Sequence, residues 1–148
     1  MGTYTQILYQ IVFSTKDRKN TLYKKNRDKL FKYIQGILKN KKCVLYKING
    51  IENHVHLATH VHSTVAVSSL VKDIKVSSSI WIKEKNLFPG FKGWQEGYSA
   101  FTYSIKEKNA LVKYIENQEA HHKTKTFREE LIDLLIEHGI DFNEKYLL

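Results

Sequence analysis

The stretch Asn53-His54-Val55-His56-Leu57-Ala58-Thr59-His60-Val61-His62 constrains this chain more than any other. It alternates with the period of a β-strand, so successive side chains fall on opposite faces. Val55, Leu57 and Val61 share one parity and suit a packed face, while His54, His56, His60 and His62 share the other. His54 and His56 would stand roughly 7 Å apart at Cα and point the same way, which lets both imidazoles reach one metal ion. His60 lies roughly 13 Å beyond His56, too far to complete the same site easily. The plain alternative is a partly exposed strand that happens to use histidine, because short motifs recur by chance.

The neighbouring segments say what this strand pairs with. Tyr4 to Thr15 is rich in Tyr, Ile, Val, Phe and Thr and reads as a first strand. Between Tyr23 and Lys39, Leu30, Phe31, Ile34, Ile37 and Leu38 recur at helical spacing. Cys43 to Ile48 reads as a short strand, and Asn49-Gly50 as the turn into the histidine strand. Ser63-Thr64 is placed to cap a helix whose buried face is Val67, Leu70, Val71, Ile74 and Trp81. Asn86 to Gly93 is a loop, Trp94 to Ser104 a fourth strand with Gly97 as a bulge candidate. Helices are expected from Lys106 to His122 and from Phe127 to His138.

This order predicts an α+β fold. It is a ferredoxin-like or RRM-like split β-α-β antiparallel sheet with both helices on one face, followed by a C-terminal helix pair. Val55, Leu57 and Val61 would face the helices, and the histidines the open face. The 148 residues make one domain, 1–148. The apolar runs are too short to span a bilayer, the start lacks a signal-peptide pattern, and the single cysteine, Cys43, suits a reducing cytosol.

Charge points to a polyanionic partner. The net charge is +9, and residues 16–47 hold 12 Lys and Arg against only Asp17 and Asp28. A basic block this concentrated marks nucleic acid as the first candidate, although a solvated helix face would also use lysine. The acidic segment 126–148 is a poor nucleic-acid surface.

A second group of residues extends the histidine motif. Tyr114 and Gln118 are four apart and share a helical face. A tyrosine hydroxyl can act as a nucleophile, and an amide oxygen can ligate hard ions such as Mg²⁺ and Mn²⁺. Together with Tyr9 to Thr15, Asn53 to Leu57, Trp94-Gln95-Glu96-Gly97-Tyr98 and Tyr114 to His122, the sequence resembles the single-tyrosine HUH transposases of the Insertion Sequence 200/605 family. His54-Val55-His56 matches the His-hydrophobic-His element, and the resemblance covers nearly the whole chain.

The resemblance implies that Tyr114 is the catalytic nucleophile and that His54, His56 and Gln118 hold a divalent metal, Mg²⁺ or Mn²⁺. It implies cleavage and rejoining of single-stranded DNA through a 5′-phosphotyrosine, at element ends marked by stem-loops. It also implies a cytoplasmic homodimer, with active sites built within one chain or shared between two. Arg18, Lys24 and Lys25 are the candidates for contact with the DNA backbone. His60, His62, His121 and His122 receive no role. Two other readings stay open at this point: a replication or repeat-associated HUH nuclease, and a non-catalytic nucleic-acid-binding module.

Overall fold

A computed structural model describes residues 2–147; Met1 and Leu148, the ends of the expected domain, lie outside the described residues. The elements follow as β1 (Leu8–Ser14), α1 (Lys24–Asn40), β2 (Val44–Gly50), β3 (His54–His60), α2 (Val67–Lys85), β4 (Ser99–Tyr103), α3 (Lys108–Glu116), α4 (Gln118–His121) and α5 (Phe127–Glu137). The four strands form one sheet in the order β2-β3-β1-β4, antiparallel throughout. This is the split β-α-β arrangement that the pattern of strands and helices predicts.

The main core lies on one face. Ile11 and Phe13 of β1 and Val55 and Leu57 of β3 meet Leu30, Ile34 and Leu38 of α1 and Leu70, Val71, Ile74 and Ile82 of α2. The opposite face is covered too, which departs from the expected open sheet. Leu8 and Ala58 pack with Leu111 and Ile115 of α3, and Val12 and Phe101 with Phe127, Leu131, Leu134 and Leu135 of α5. The cause is α5 itself: its apolar stripe must be buried, and this sheet face receives it. His54 and His56 are therefore enclosed rather than presented to solvent.

Other boundaries shift for local reasons. The fourth strand starts at Ser99, and Trp94 keeps only an isolated bridge to Thr15. Gly93, just before Trp94, and Gly97, between the two, adopt φ of +118° and +88°, and the Lys75 ammonium binds the carbonyls of Gln95 and Gly97. A lysine thus satisfies acceptors that a strand would give to its ladder. β1 begins at Leu8, four residues later than expected. The helix α2 begins later than Ser63-Thr64 would place it: its N-cap is Ala66, whose methyl cannot cap, and the Thr64 hydroxyl meets His62 Nδ1 at 2.7 Å. The expected helix from Lys106 to His122 is broken at Asn117, where Asn49 Nδ2 donates to the carbonyls of Ile115 and Glu116 at 3.0 and 3.1 Å. That contact ends α3 and anchors it to β2.

Asn49-Gly50 ends β2 rather than forming the turn itself, and Gly50 is needed for space. A Cβ there would lie 2.3 Å from the His54 carbonyl oxygen. Gly50→Ala should therefore push the two strands apart beside His54 and destabilise the protein by about 1–3 kcal/mol, the usual cost of overpacking. Urea denaturation checks this; an unchanged midpoint would show that the hairpin can yield without cost.

Candidate active site

Strand β3 delivers His54 and His56 to the face covered by α3, α4 and α5, and both rings are fully buried. His54 Nδ1 lies 2.7 Å from Asn53 Oδ1, and its ring stacks on Phe127 at 4.1 Å between centroids. His56 Nδ1 lies 3.0 Å from Gln10 Nε2, and Gln10 Oε1 accepts a hydrogen bond from the Tyr103 hydroxyl at 2.7 Å. Gln118, on α4, brings its Oε1 to 3.0 Å from His54 Nε2 and 3.2 Å from His122 Nε2. Tyr114, on α3, sits with its ring 6.0 Å from that of His56. The fold thus gathers His54, His56, Tyr114 and Gln118, separated by up to 64 residues, into one cluster.

Its centre is a residue that sequence reasoning missed. Glu130 of α5 is 3 % exposed, and its Oε1 lies 3.0 Å from His56 Nε2, 3.0 Å from His122 Nε2 and 3.3 Å from His54 Nε2. Its other oxygen accepts from Gln118 Nε2 at 2.9 Å and from the Tyr114 hydroxyl. The capping box of Thr126 and Glu129 fixes the start of α5 and hence where Glu130 points. A signal existed: Phe127, Glu130, Leu131 and Leu134 follow the i, i+3, i+4, i+7 spacing of one helical face, so a carboxylate stands in an apolar stripe. His122, left without a role by the sequence, joins the cluster because its backbone N–H bonds to the Gln118 carbonyl and keeps the turn helical past α4.

The electrostatics follow from burial. Burial pushes His54 down to about 4, against the opposing hydrogen bond to Glu130, and nearby His56 adds to the lowering. Burial works to raise Glu130, but hydrogen bonds from His122, His54 and His56 outweigh it and hold the carboxyl well below the usual carboxylate range. Tyr114 is pushed well above the ordinary phenol range, first by burial and then by the Glu130 charge. In the cation-free protein, unfolded His54 takes up a proton below pH ~6.5 while the folded ring resists until about 4. Stability should therefore fall as pH drops through that window, by on the order of 2–3 kcal/mol, and Glu130 acts in the same direction below its unfolded value. Denaturation midpoints between pH 7 and 4.5 in chelator test this; a flat or rising profile would contradict it.

The remaining expected residues lie around the cluster. The Arg18 guanidinium sits 4.9 Å from the centre of the Phe127 ring, on which His54 stacks. Lys24 and Lys25 are exposed at the start of α1, and Lys24 lies 3.6 Å from Glu119. His60 Nδ1 accepts the backbone N–H of Ile7, and His62 is occupied by Thr64, so neither joins the cluster. A cavity of about 400 Å³, lined by Tyr114, His121, Thr124, Lys125, Glu130 and Asp133 among others, opens next to the tyrosine.

The donor set suits a cation. Ligand atoms of His54, His122 and Glu130 lie within 4.8 Å of one another, and the Gln118 carbonyl oxygen faces the same point. Imidazole with carboxylate and amide oxygen accommodates Mn²⁺ and, through the oxygens, Mg²⁺. The chain belongs to a family of transposases: residues 3–118 match the family described as Transposase IS200 like.

Two solved structures share the fold. One is a chain assigned as a transposase from Deinococcus radiodurans R1, with a TM-score of 0.63 and 22% identity over 80% of this chain and 95% of that one. The other is a REP-associated tyrosine transposase bound to a REP hairpin, with a TM-score of 0.63 and 14% identity over 100% of this chain and 90% of that one. A search of curated protein sequences finds no match. No helix among the described residues is long and apolar enough to cross a membrane.

Proposed function

We propose that this transposase cleaves and rejoins single-stranded DNA by covalent attachment to Tyr114, at sites marked by a DNA hairpin. One observation carries the reading: a single buried carboxylate, Glu130, holds the Tyr114 hydroxyl and the imidazoles of His54, His56 and His122 together. A nucleophile and an electrophile-binding cluster are thereby placed side by side. The hairpin bound by the structural relative supports the substrate class.

In the reaction, the phenolic oxygen of Tyr114 attacks phosphorus and the bond to the 3′ oxygen breaks. The products are a 5′-phosphotyrosine and a free 3′-OH. A second 3′-OH then attacks the phosphotyrosine, and Tyr114 leaves with its proton restored. Two displacements conserve the phosphodiester energy, so no nucleotide cofactor is needed. The Tyr114 proton is the difficult one, since burial beside Glu130 keeps the phenol protonated. Glu130, already accepting that hydrogen bond, orients the hydroxyl. Held by His54, His56 and Gln118, a divalent cation, Mg²⁺ or Mn²⁺, would supply a Lewis acid for the phosphate oxygen. Arg18, Lys24 and Lys25 are proposed to contact the DNA backbone.

The non-catalytic alternative requires an exposed sheet for base stacking. The covering helices α3 and α5 remove that surface, which favours the enzymatic reading. Incubation of the protein with a labelled hairpin-bearing single strand and Mn²⁺ should give a denaturant-resistant protein–DNA adduct. No adduct with either cation on any hairpin substrate would overturn the proposal.

A two-ended reaction needs two such tyrosines, which supports a homodimer. Tyr114 meets its own chain's Glu130 and His56, so each chain should build its own site. A verified mixed dimer of Tyr114→Phe and His56→Ala chains should then stay inactive, because both sites carry one defect. Restored cleavage would show that α3 serves the other subunit.

A further inference from the structure

We infer that a groove between α2 and the loop 92–98 holds the single strand outside the active site, with Tyr98 as a stacking platform and Lys72, Lys83 and Lys92 against its phosphates. The inference rests on the single-stranded substrate proposed above and says where that strand runs on the surface.

The sequence sets one stripe on the outer face of α2. Lys72, Val76, Ile80 and Lys83 follow i, i+4, i+8, i+11 spacing and so line up along roughly 16 Å of helix. The other face goes to the core through Leu70, Ile74 and Ile82. Val76 and Ile80 stand more than half exposed between the two lysines. The loop makes the second wall and is fixed to the helix. The Lys75 ammonium holds the carbonyls of Gln95 and Gly97, and Trp94 Nε1 donates to Ser78 Oγ at 3.0 Å. This loop presents Lys92 and Tyr98, both exposed. The groove has a volume of about 630 Å³ and is lined by four lysines against one carboxylate, Glu96. The lysine ion pairs among the described residues are those of Lys24, Lys41, Lys47 and Lys125, which leaves Lys72, Lys83 and Lys92 free for an outside anion. The sequence hides this patch, because residues 48–148 carry 12 Lys and Arg against 13 Asp and Glu.

Charge decides the occupant. A second copy of the chain on a two-fold axis would set these lysines against their own images, whereas a polyanion meets each with a phosphate. An unpaired base is needed to lie on Tyr98, which selects a single strand over a duplex. The groove also continues toward the active site. Gln95 to Tyr98 line a second cavity, of about 230 Å³, that is lined as well by Arg18 and Phe127, and the Phe127 ring stacks on His54. Asp17 and Arg18 hold φ of +56° and +52°, left-handed backbone that residues other than glycine enter at a cost. The Asp17 N–H donates to Gln95 Oε1 at 2.8 Å and ties that turn to the loop. Arg18 Nε is buried with no hydrogen-bond partner among the described residues. A phosphate passing between Tyr98 and Phe127 would give it one.

The test is binding of fluorescein-labelled oligothymidylate to the full chain in chelator, which reads no cleavage. The double variant Lys72→Ala, Lys83→Ala should bind more weakly, and its slope of log affinity against log salt should fall by about 1.4, the value for two phosphate contacts on a single strand. Tyr98→Ala should weaken binding about 5- to 150-fold, while Tyr98→Phe keeps the ring and stays near wild type. Wild-type affinity and slope in the lysine variant would overturn the inference, and so would equal loss in Tyr98→Phe and Tyr98→Ala. Photocrosslinking a strand that contains 5-iodouracil needs no variant: attachment should map to Tyr98 or its loop, and attachment on α1 alone would overturn it. If Val76→Glu with Ile80→Glu splits a dimer and leaves oligothymidylate affinity unchanged, the groove is a protein interface instead. Wild type that binds neither oligothymidylate nor hairpin DNA would sink the function proposed above. Hairpin binding without oligothymidylate binding, or binding that these variants leave intact, removes only the groove.

Discussion

Tyr114→Phe should abolish the covalent protein–DNA adduct, by more than about 10³-fold in rate, while hairpin binding stays close to wild type. The size follows from removing the attacking atom, as in other enzymes that lose a nucleophile. Binding survives because the substitution keeps the ring and its place beside His121, 4.8 Å between centroids. The fold should weaken by about 1–2 kcal/mol, since the hydroxyl donates to the Glu130 carboxylate and hydrogen bonds to charged groups are the stronger ones. Glu130 keeps its imidazole and Gln118 partners, which limits the loss. An adduct-trapping gel and a salt-controlled binding curve separate the two effects. Adduct formation at the wild-type rate would remove Tyr114 from the mechanism.

His54→Ala should be as severe for cleavage and worse for stability. It deletes a fully buried ring that stacks on Phe127 and leaves Gln118 Oε1 and Glu130 Oε1 short of a neighbour. Cavity formation and lost contacts together should cost about 2–4 kcal/mol. Cleavage should disappear in this variant and, equally, in wild type treated with chelator. His62→Ala is the matched control, since that ring is held by Thr64 alone and lies outside the cluster. Full cleavage by His54→Ala, with its fold verified by circular dichroism, would show that the histidine cluster does not handle the phosphate.

The architecture was legible because strand and helix periods are strong local signals. The alternation at Val55 and Leu57 and the spacing of Leu30, Ile34 and Leu38 both reappear as core contacts. The meeting of His54, His56, Tyr114 and Gln118 was legible only through the family resemblance, because no local rule says that a strand and a helix 60 residues later will touch. Glu130 was not read, since an acidic C-terminal segment looks like solvated surface until the register of α5 turns one carboxylate inward. The break at Asn117 depends on Asn49, a partner 68 residues away, and no helical period reveals it. The fourth strand is shorter than its composition suggests for a similar reason, as the carbonyls of Gln95 and Gly97 ahead of it are claimed by Lys75 of α2.

The most direct measurement is to digest the adduct formed with a hairpin-bearing single strand and locate the attached nucleotide by mass spectrometry. The account predicts a 5′-phosphate ester on the phenolic oxygen of Tyr114, together with a released strand ending in 3′-OH. Attachment to any other residue, or cleaved DNA with a free 5′-phosphate and no protein attached at any time point, would contradict it.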